Sequence, residues 1–285
     1  MIPVQAQRAT LGTFELSATH AGDIDVILED LDGWGAPASS AETEQKPGQH
    51  GVWVSDGLHV GKYMTAMGTI IAPSRDQARE KFDELVSAAT LTDTTLTVIE
   101  GSMTRAVTVR RTGDVTYQPE ADGCLVNWST VLIAADPRKV TTDLTASTGL
   151  PATSGGMTFP MTFPFTFSET VTSGVVTLTN PGNAPGRVTL KITAGVGGLT
   201  GPAVTHIASG TVLQFAASLT IPEGNWIYVD MEARKVLENS QPGAERNGWV
   251  TGRGWSEFQP GANQWAFTAQ SGVGTMEVTA TPSWW

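Results

Sequence analysis

Short apolar–polar alternations, each closed by Gly, Pro, Asn or Asp, run through most of this 285-residue chain. A period of two places successive side chains on opposite faces of a strand, and the frequent turn residues favour antiparallel pairing between neighbours. The pattern predicts an all-β protein. Val52 to Val54, then Asp56-Gly57, then Leu58 onward to Ile71 reads as a hairpin, because Asp-Gly supplies the positive φ angles of a type I′ turn. A second hairpin is predicted where Leu96 and Val98 alternate with threonines, a turn sits near Gly101, and Val107 and Val109 resume the alternation.

One stretch breaks the period of two. After Pro73, Ser74 is an N-cap with Gln77 three residues on as its capping-box partner, and a helix is predicted over 74–89. Ala78, Phe82, Leu85 and Ala89 share one face, while Arg75, Arg79, Glu80 and Glu84 point elsewhere. That makes it a packing helix.

The length exceeds the usual size of one domain and suggests two. Residues 1–138 are read as an N-terminal β domain and 139–156, rich in Thr, Ser, Ala, Pro and Gly, as a linker. Residues 157–285 are the C-terminal β-sandwich. Phe159 to Phe167, broken by two prolines, suits an extended arm or edge segment. The clear strands beyond it are Val175 to Thr179, Val188 to Ile192, Val212 to Phe215, Trp226 to Met231, Trp265 to Phe267 and Met276 to Ala280. Gly35 to Gly51 is longer and more polar than a tight turn needs and is read as an exposed loop or arm that reaches a neighbouring subunit.

The formal net charge of −11 is wrong for a protein that grips phosphates, so specific nucleic-acid binding is not expected. Cys124 is the only cysteine, which leaves no intramolecular disulfide and no cysteine-based zinc site within one chain. The first residues lack a basic segment followed by an apolar one, and no run approaches the ~18 apolar residues of a membrane span. Synthesis in the cytoplasm and no membrane insertion are the expectations.

In the C-terminal half the order of turns and aromatics carries a resemblance. Asn180-Pro181-Gly182-Asn183 leads into the Val188 strand, and Ile221-Pro222-Glu223-Gly224-Asn225-Trp226 leads into a strand ending at Asp230. Glu257-Phe258-Gln259-Pro260-Gly261-Ala262-Asn263 precedes Trp265, and Pro282-Ser283-Trp284-Trp285 closes the chain. In the N-terminal half, Met67 to Ala72, the helix and Val131 to Arg138 continue the series. Together these resemble the distal tail proteins of siphophages, whose C-terminal domain is galectin-like. The resemblance implies an N-terminal domain that assembles as a hexameric ring on the tail tube and a galectin-like sandwich that projects outward. It implies a virion location at the distal end of a long non-contractile tail. The implied contacts are with other copies of the chain, the tail tube protein, the tape-measure protein and a tail-tip or tail-associated protein. DNA would pass through the pore, repelled by an acidic wall.

No catalytic residues, cofactor site or metal site are read from the sequence, and no enzyme is expected. His20, His50, His59 and His206 lack metal-ligand spacings. The cluster of Asp23, Asp25, Glu29, Asp30 and Asp32 flanks a strand containing Ile24, Val26 and Leu28, so its carboxylates are read as solvent-facing. Trp249, Trp255 and Trp265 are candidate glycan-stacking residues, which keeps a carbohydrate-binding module as the alternative function beside a tail tube subunit.

Overall fold

The computed structural model describes residues 8–17, 24–120, 122–154 and 170–285. Strands dominate, and among the described residues there is one α-helix, Arg75–Ala88. The chain divides into two compact units, residues up to Thr141 with Trp285, and Thr142–Trp284.

The first unit is built on an antiparallel sheet. Its order is Phe14–Glu15, Arg8–Leu11, Thr94–Glu100, Met103–Glu120, Leu125–Ala134, Lys62–Ile71, Asp25–Asp32. The long strand Met103–Glu120 serves two neighbours. Its first part, Met103 to Val109, pairs with Thr94–Glu100, and its second part, from Arg110, pairs with Leu125–Ala134. The register shifts between Arg111 and Val115, and Gly113 there has φ +90, a conformation that L side chains rarely adopt. The expected hairpin around Gly101 is present, with Glu100 opposite Met103 and Gly101 at φ +63.

The helix lies on the strands Lys62–Ile71, Leu125–Ala134 and Phe14–Glu15. Ser74 caps it, accepting from the Gln77 amide at 3.4 Å while its hydroxyl meets Gln77 Oε1 at 3.0 Å. Ala78, Phe82 and Leu85 are buried, and Phe82 meets the Tyr117 ring edge-on at 4.8 Å. Burying Phe82 and Leu85 contributes roughly 1.5–3 kcal/mol each. Below them sit Ile70, Trp128 and Leu132, all in one core cluster. Trp128 stands opposite Gly68 across the sheet, and a Cβ on Gly68 would lie 2.9 Å from the indole and 2.0 Å from the Ile27 carbonyl oxygen. Glycine is therefore the residue that lets the strand Asp25–Asp32 close over the tryptophan.

The second unit is a sandwich of two antiparallel sheets. One runs Leu144–Gly149, Ser271–Ala280, Val188–Thr200, Trp226–Asp230, Lys235–Glu238, and the other runs Val175–Asn180, Gly261–Thr268, Ala203–His206, Thr211–Phe215, Val250–Arg253. Leu190, Ile192, Met276 and Val278 of the first pack with Val204, Leu213, Phe215, Trp265 and Phe267 of the second in a single core. Two buried asparagines fix its connecting turns. Asn180 donates to the carbonyls of Ala184 (3.0 Å) and Phe258 (2.8 Å) and accepts from the Gly182 amide (2.9 Å). Asn263 donates to the carbonyls of Gln259 (2.7 Å) and Gly261 (2.9 Å) and accepts from the Gln259 amide (3.0 Å). Each side chain satisfies main-chain groups that a turn would otherwise leave open.

Two sequence expectations need correction. Val52–Val54 does not pair across Asp56-Gly57; its partner is Thr43–Gln45, within the segment read as a polar arm. The turn is at Lys46-Pro47-Gly48-Gln49, where the Gln49 amide donates to the Lys46 carbonyl and Gly48 has φ +67. Proline preset for the second turn position and glycine free to take the third outcompete Asp-Gly here. Residues 139–156 are not an irregular linker throughout. Leu144–Gly149 is a strand paired along its whole length with Ser271–Ala280, and Lys139–Val140 and Ala152–Ser154 are short strands. The segment from Phe159 to Phe167 lies outside the described residues.

The Gly68 geometry predicts that Gly68→Ala lowers stability by about 3 kcal/mol or more, because the obstruction is backbone and cannot rotate away. Thermal unfolding beside Gly101→Ala, where no atom lies within 4 Å, measures this clash apart from the strain of a positive φ.

Candidate functional site

Three surfaces of the first unit are left unfinished by its own fold. The first is the arm. Ser39–Ser40 pairs with Leu58–His59 and Thr43–Gln45 pairs with Val52–Val54, giving an antiparallel ribbon. Every residue of these four strands is exposed. Val52 and Val54 share one face and Trp53 takes the other, with exposures of 48%, 62% and 54%. A two-stranded ribbon with neither face covered is at most marginally stable in water, and exposed apolar side chains gathered in one place mark contact surfaces.

The second is the outer edge of Asp25–Asp32, which ends the sheet among the described residues. The third is the sheet face turned away from the core. Tyr63, Met67 and Ile71 stand exposed on Lys62–Ile71 beside Ile27. Glu29, Asp30 and Asp32 stand on the adjoining strand. A polar strip crosses this face: Thr69 donates to Glu29 Oε1 and lies 2.9 Å from Asn127 Oδ1, and Asn127 donates to Glu120 at 2.7 Å. The acidic cluster of the sequence is split accordingly. Val26 and Leu28 are buried while Glu29, Asp30 and Asp32 face solvent; Asp23 lies outside the described residues, as does His20.

The base of the arm is anchored. Lys62 Nζ, just after the arm, donates to the Gly35 carbonyl just before it. Trp34 is buried beneath Lys139, whose Nζ lies 5.4 Å from the ring centroid and donates to the Trp285 main-chain oxygen at 2.8 Å. Burial, and then the charges of Lys62 and Arg105, push the Lys139 pKa down to about 8, with Glu100 acting in the opposite sense. Burial also lowers that of Lys62. Sequence reading missed both lysines, since a lysine's burial depends on strands far away in the chain.

The three candidate tryptophans of the second unit do not form one site. Trp265 is fully buried and its indole N–H donates to Ser256 Oγ at 3.0 Å, so it cannot stack on a ligand. That reading is corrected: alternation places it in the core. Trp249 is half-buried under the Arg246 guanidinium, 5.4 Å from its ring centroid. Trp255 alone of the three lines a cleft, of about 240 Å³, shared with His206, Arg234, Glu257 and Gln259. A broader hollow of about 1010 Å³ runs along the helix of the first unit, but charged, solvated side chains such as Glu80, Asp83 and Glu84 line it.

No family model matches the chain, and no curated protein matches it. Solved structures do. The crystal structure of the SPP1 Dit (gp 19.1) protein is similar over 96% of this chain and 98% of its own, at 11% identity and a TM-score of 0.68. The fold is that of a phage Dit protein. SPP1 Dit is described as a paradigm of the hub adsorption apparatus in phages infecting Gram-positive bacteria. The phage p2 baseplate in its activated conformation with Sr matches over 95% of this chain and 97% of the matched one, at 10% identity and a TM-score of 0.50. The fold is thus shared with proteins of a phage hub and a phage baseplate.

Lys139 gives a pH dependence. Its pKa falls from 10.5 in an ordinary setting to about 8, so the unfolded chain binds the extra proton between those values. Stability should then rise as pH climbs from about 8 toward 10.5. Lys139→Met should remove this increment, measured as the difference between its melting temperature and that of the native chain across the window.

Proposed function

We propose that this chain is a structural subunit of the distal end of a long non-contractile phage tail, a hub ring that joins tail tube to tail tip. The observation that carries the reading is the likeness to SPP1 Dit over nearly the whole of both chains. Because it extends through both units, it is more than the similarity that any two β-sandwiches share. The order of turns in the sequence points to the same family.

In this reading the first unit builds the ring, with six copies, and the galectin-like second unit projects from it. The exposed arm seats Val52, Trp53 and Val54 against the next copy. The end strand Asp25–Asp32 lies at the same interface, so that closure covers one sheet edge of each copy. The face bearing Glu29, Asp30, Asp32 and Glu120 suits the wall of a DNA conduit, since carboxylates repel phosphates and let a duplex slide. Tail tube, tape-measure and tail-tip proteins are the expected neighbours. The work of the chain is assembly, with no reaction catalysed and no membrane entered.

The arm tests this reading. Trp53→Asp combined with Val54→Asp changes only exposed side chains, so the fold should survive while the assembled species shifts to smaller ones in sedimentation velocity. An unchanged distribution of assembled species would remove the arm from the interface.

A further inference from the structure

The cleft beside Trp255 has no part in ring assembly as described, and its chemistry is specific. The half-buried Trp255 lines one wall with Glu257 two residues on, and other wall groups come from segments distant in sequence, at His206 and Arg234. Among the described residues no hydrogen bond engages the Trp255 indole N–H or the Arg234 guanidinium. Arg234 holds φ +55, a conformation that costs a non-glycine residue. Asn247 keeps it there, donating to the Arg234 carbonyl at 3.0 Å and accepting from the Val236 amide at 2.8 Å.

The opposite groups are set by bonding. His206 is buried, with Nε2 3.3 Å from Asn263 Oδ1 and Nδ1 2.7 Å from Ser209 Oγ. Asn263 Oδ1 can only accept, so Nε2 is the donor in that contact, and the two contacts hold the ring in place. Glu257 accepts from Gln259 Nε2 at 3.1 Å, which orients the carboxylate, and Glu232 is held by Arg187 at 2.7 Å. The cleft therefore offers an aromatic face, oriented carboxylate acceptors and a free guanidinium donor in a volume below the ~300–1,000 Å³ of sites for drug-sized ligands.

We infer that this cleft binds a single pyranose unit of a glycan. A sugar ring presents an apolar C–H face that stacks on an indole, and hydroxyls that donate to carboxylates while accepting from a guanidinium and an amide. An aliphatic side chain of a partner protein would leave the charged walls unsatisfied. A small ligand of this size held in a half-open cleft has a dissociation constant of roughly 1 mM. The site does not depend on the ring, and either can be present without the other.

The test is saturation-transfer difference NMR on the full chain with methyl glycosides of glucose, galactose, rhamnose, N-acetylglucosamine and N-acetylgalactosamine. At least one should receive saturation on its ring protons. Arg234→Ala and Trp255→Ala should each weaken binding by about tenfold or more, and Arg253→Ala, outside the cleft, should leave it unchanged. Trp255 also packs on the core, so Arg234→Ala, an exposed site, decides the matter if Trp255→Ala melts early. Silence from all five sugars, or binding that survives Arg234→Ala unchanged, overturns the inference. Unaltered sedimentation of Arg234→Ala would keep either failure separate from that of the assembly reading.

Discussion

Main-chain hydrogen bonding along the strand Met103–Glu120 governs the first unit. A strand of 18 residues that kept one straight pairing would give a flat sheet with two exposed faces. Its pairing passes from Thr94–Glu100 to Leu125–Ala134 at Arg110, and the register shift that follows, between Arg111 and Val115, bends the sheet around a core. The helix then has a hollow to fill with Phe82 and Leu85, and Gly68 allows the last strand to lie over Trp128. What that closure leaves over among the described residues is an acidic outer face, the end strand Asp25–Asp32 and the arm.

The arm and the cleft show two ways in which a fold can carry function. In the arm, apolar side chains stay exposed among the described residues, and in the proposed ring burial against another copy would recover the hydrophobic contribution. The cleft instead draws on the rigidity of the sandwich. Asn263 ties together its own turn and reaches the buried His206, so the same side chain that closes a loop also fixes a wall of the cavity. The aromatic beneath it, Trp265, is spent entirely on the core.

Local rules carried the sequence reading wherever neighbours in sequence decide the outcome. Ser74 with Gln77, and Ala78 with Phe82 and Leu85, define the helix because capping and a 3.6-residue period act within a few turns. Strands with large apolar residues on alternate positions, such as Val188 to Ile192, were equally legible. Leu144–Gly149 was not, since a strand of Thr, Ala, Ser and Gly is held by its pairing with Ser271–Ala280 more than by its own pattern. The Asp56-Gly57 reading failed because two turn signals competed and Pro47-Gly48 took the hairpin. The burial of Lys62 and Lys139 and the walls of the cleft depend on segments far apart in the chain, and no local pattern marks them.

In the proposed assembly, copies of this chain close into a ring. Negative-stain electron microscopy of the purified protein, with native mass spectrometry on the same sample, tests it most directly. A ring should appear as a discrete particle of six copies with an open centre and peripheral lobes. A strict monomer at every concentration, or a filament of unlimited length, would contradict it.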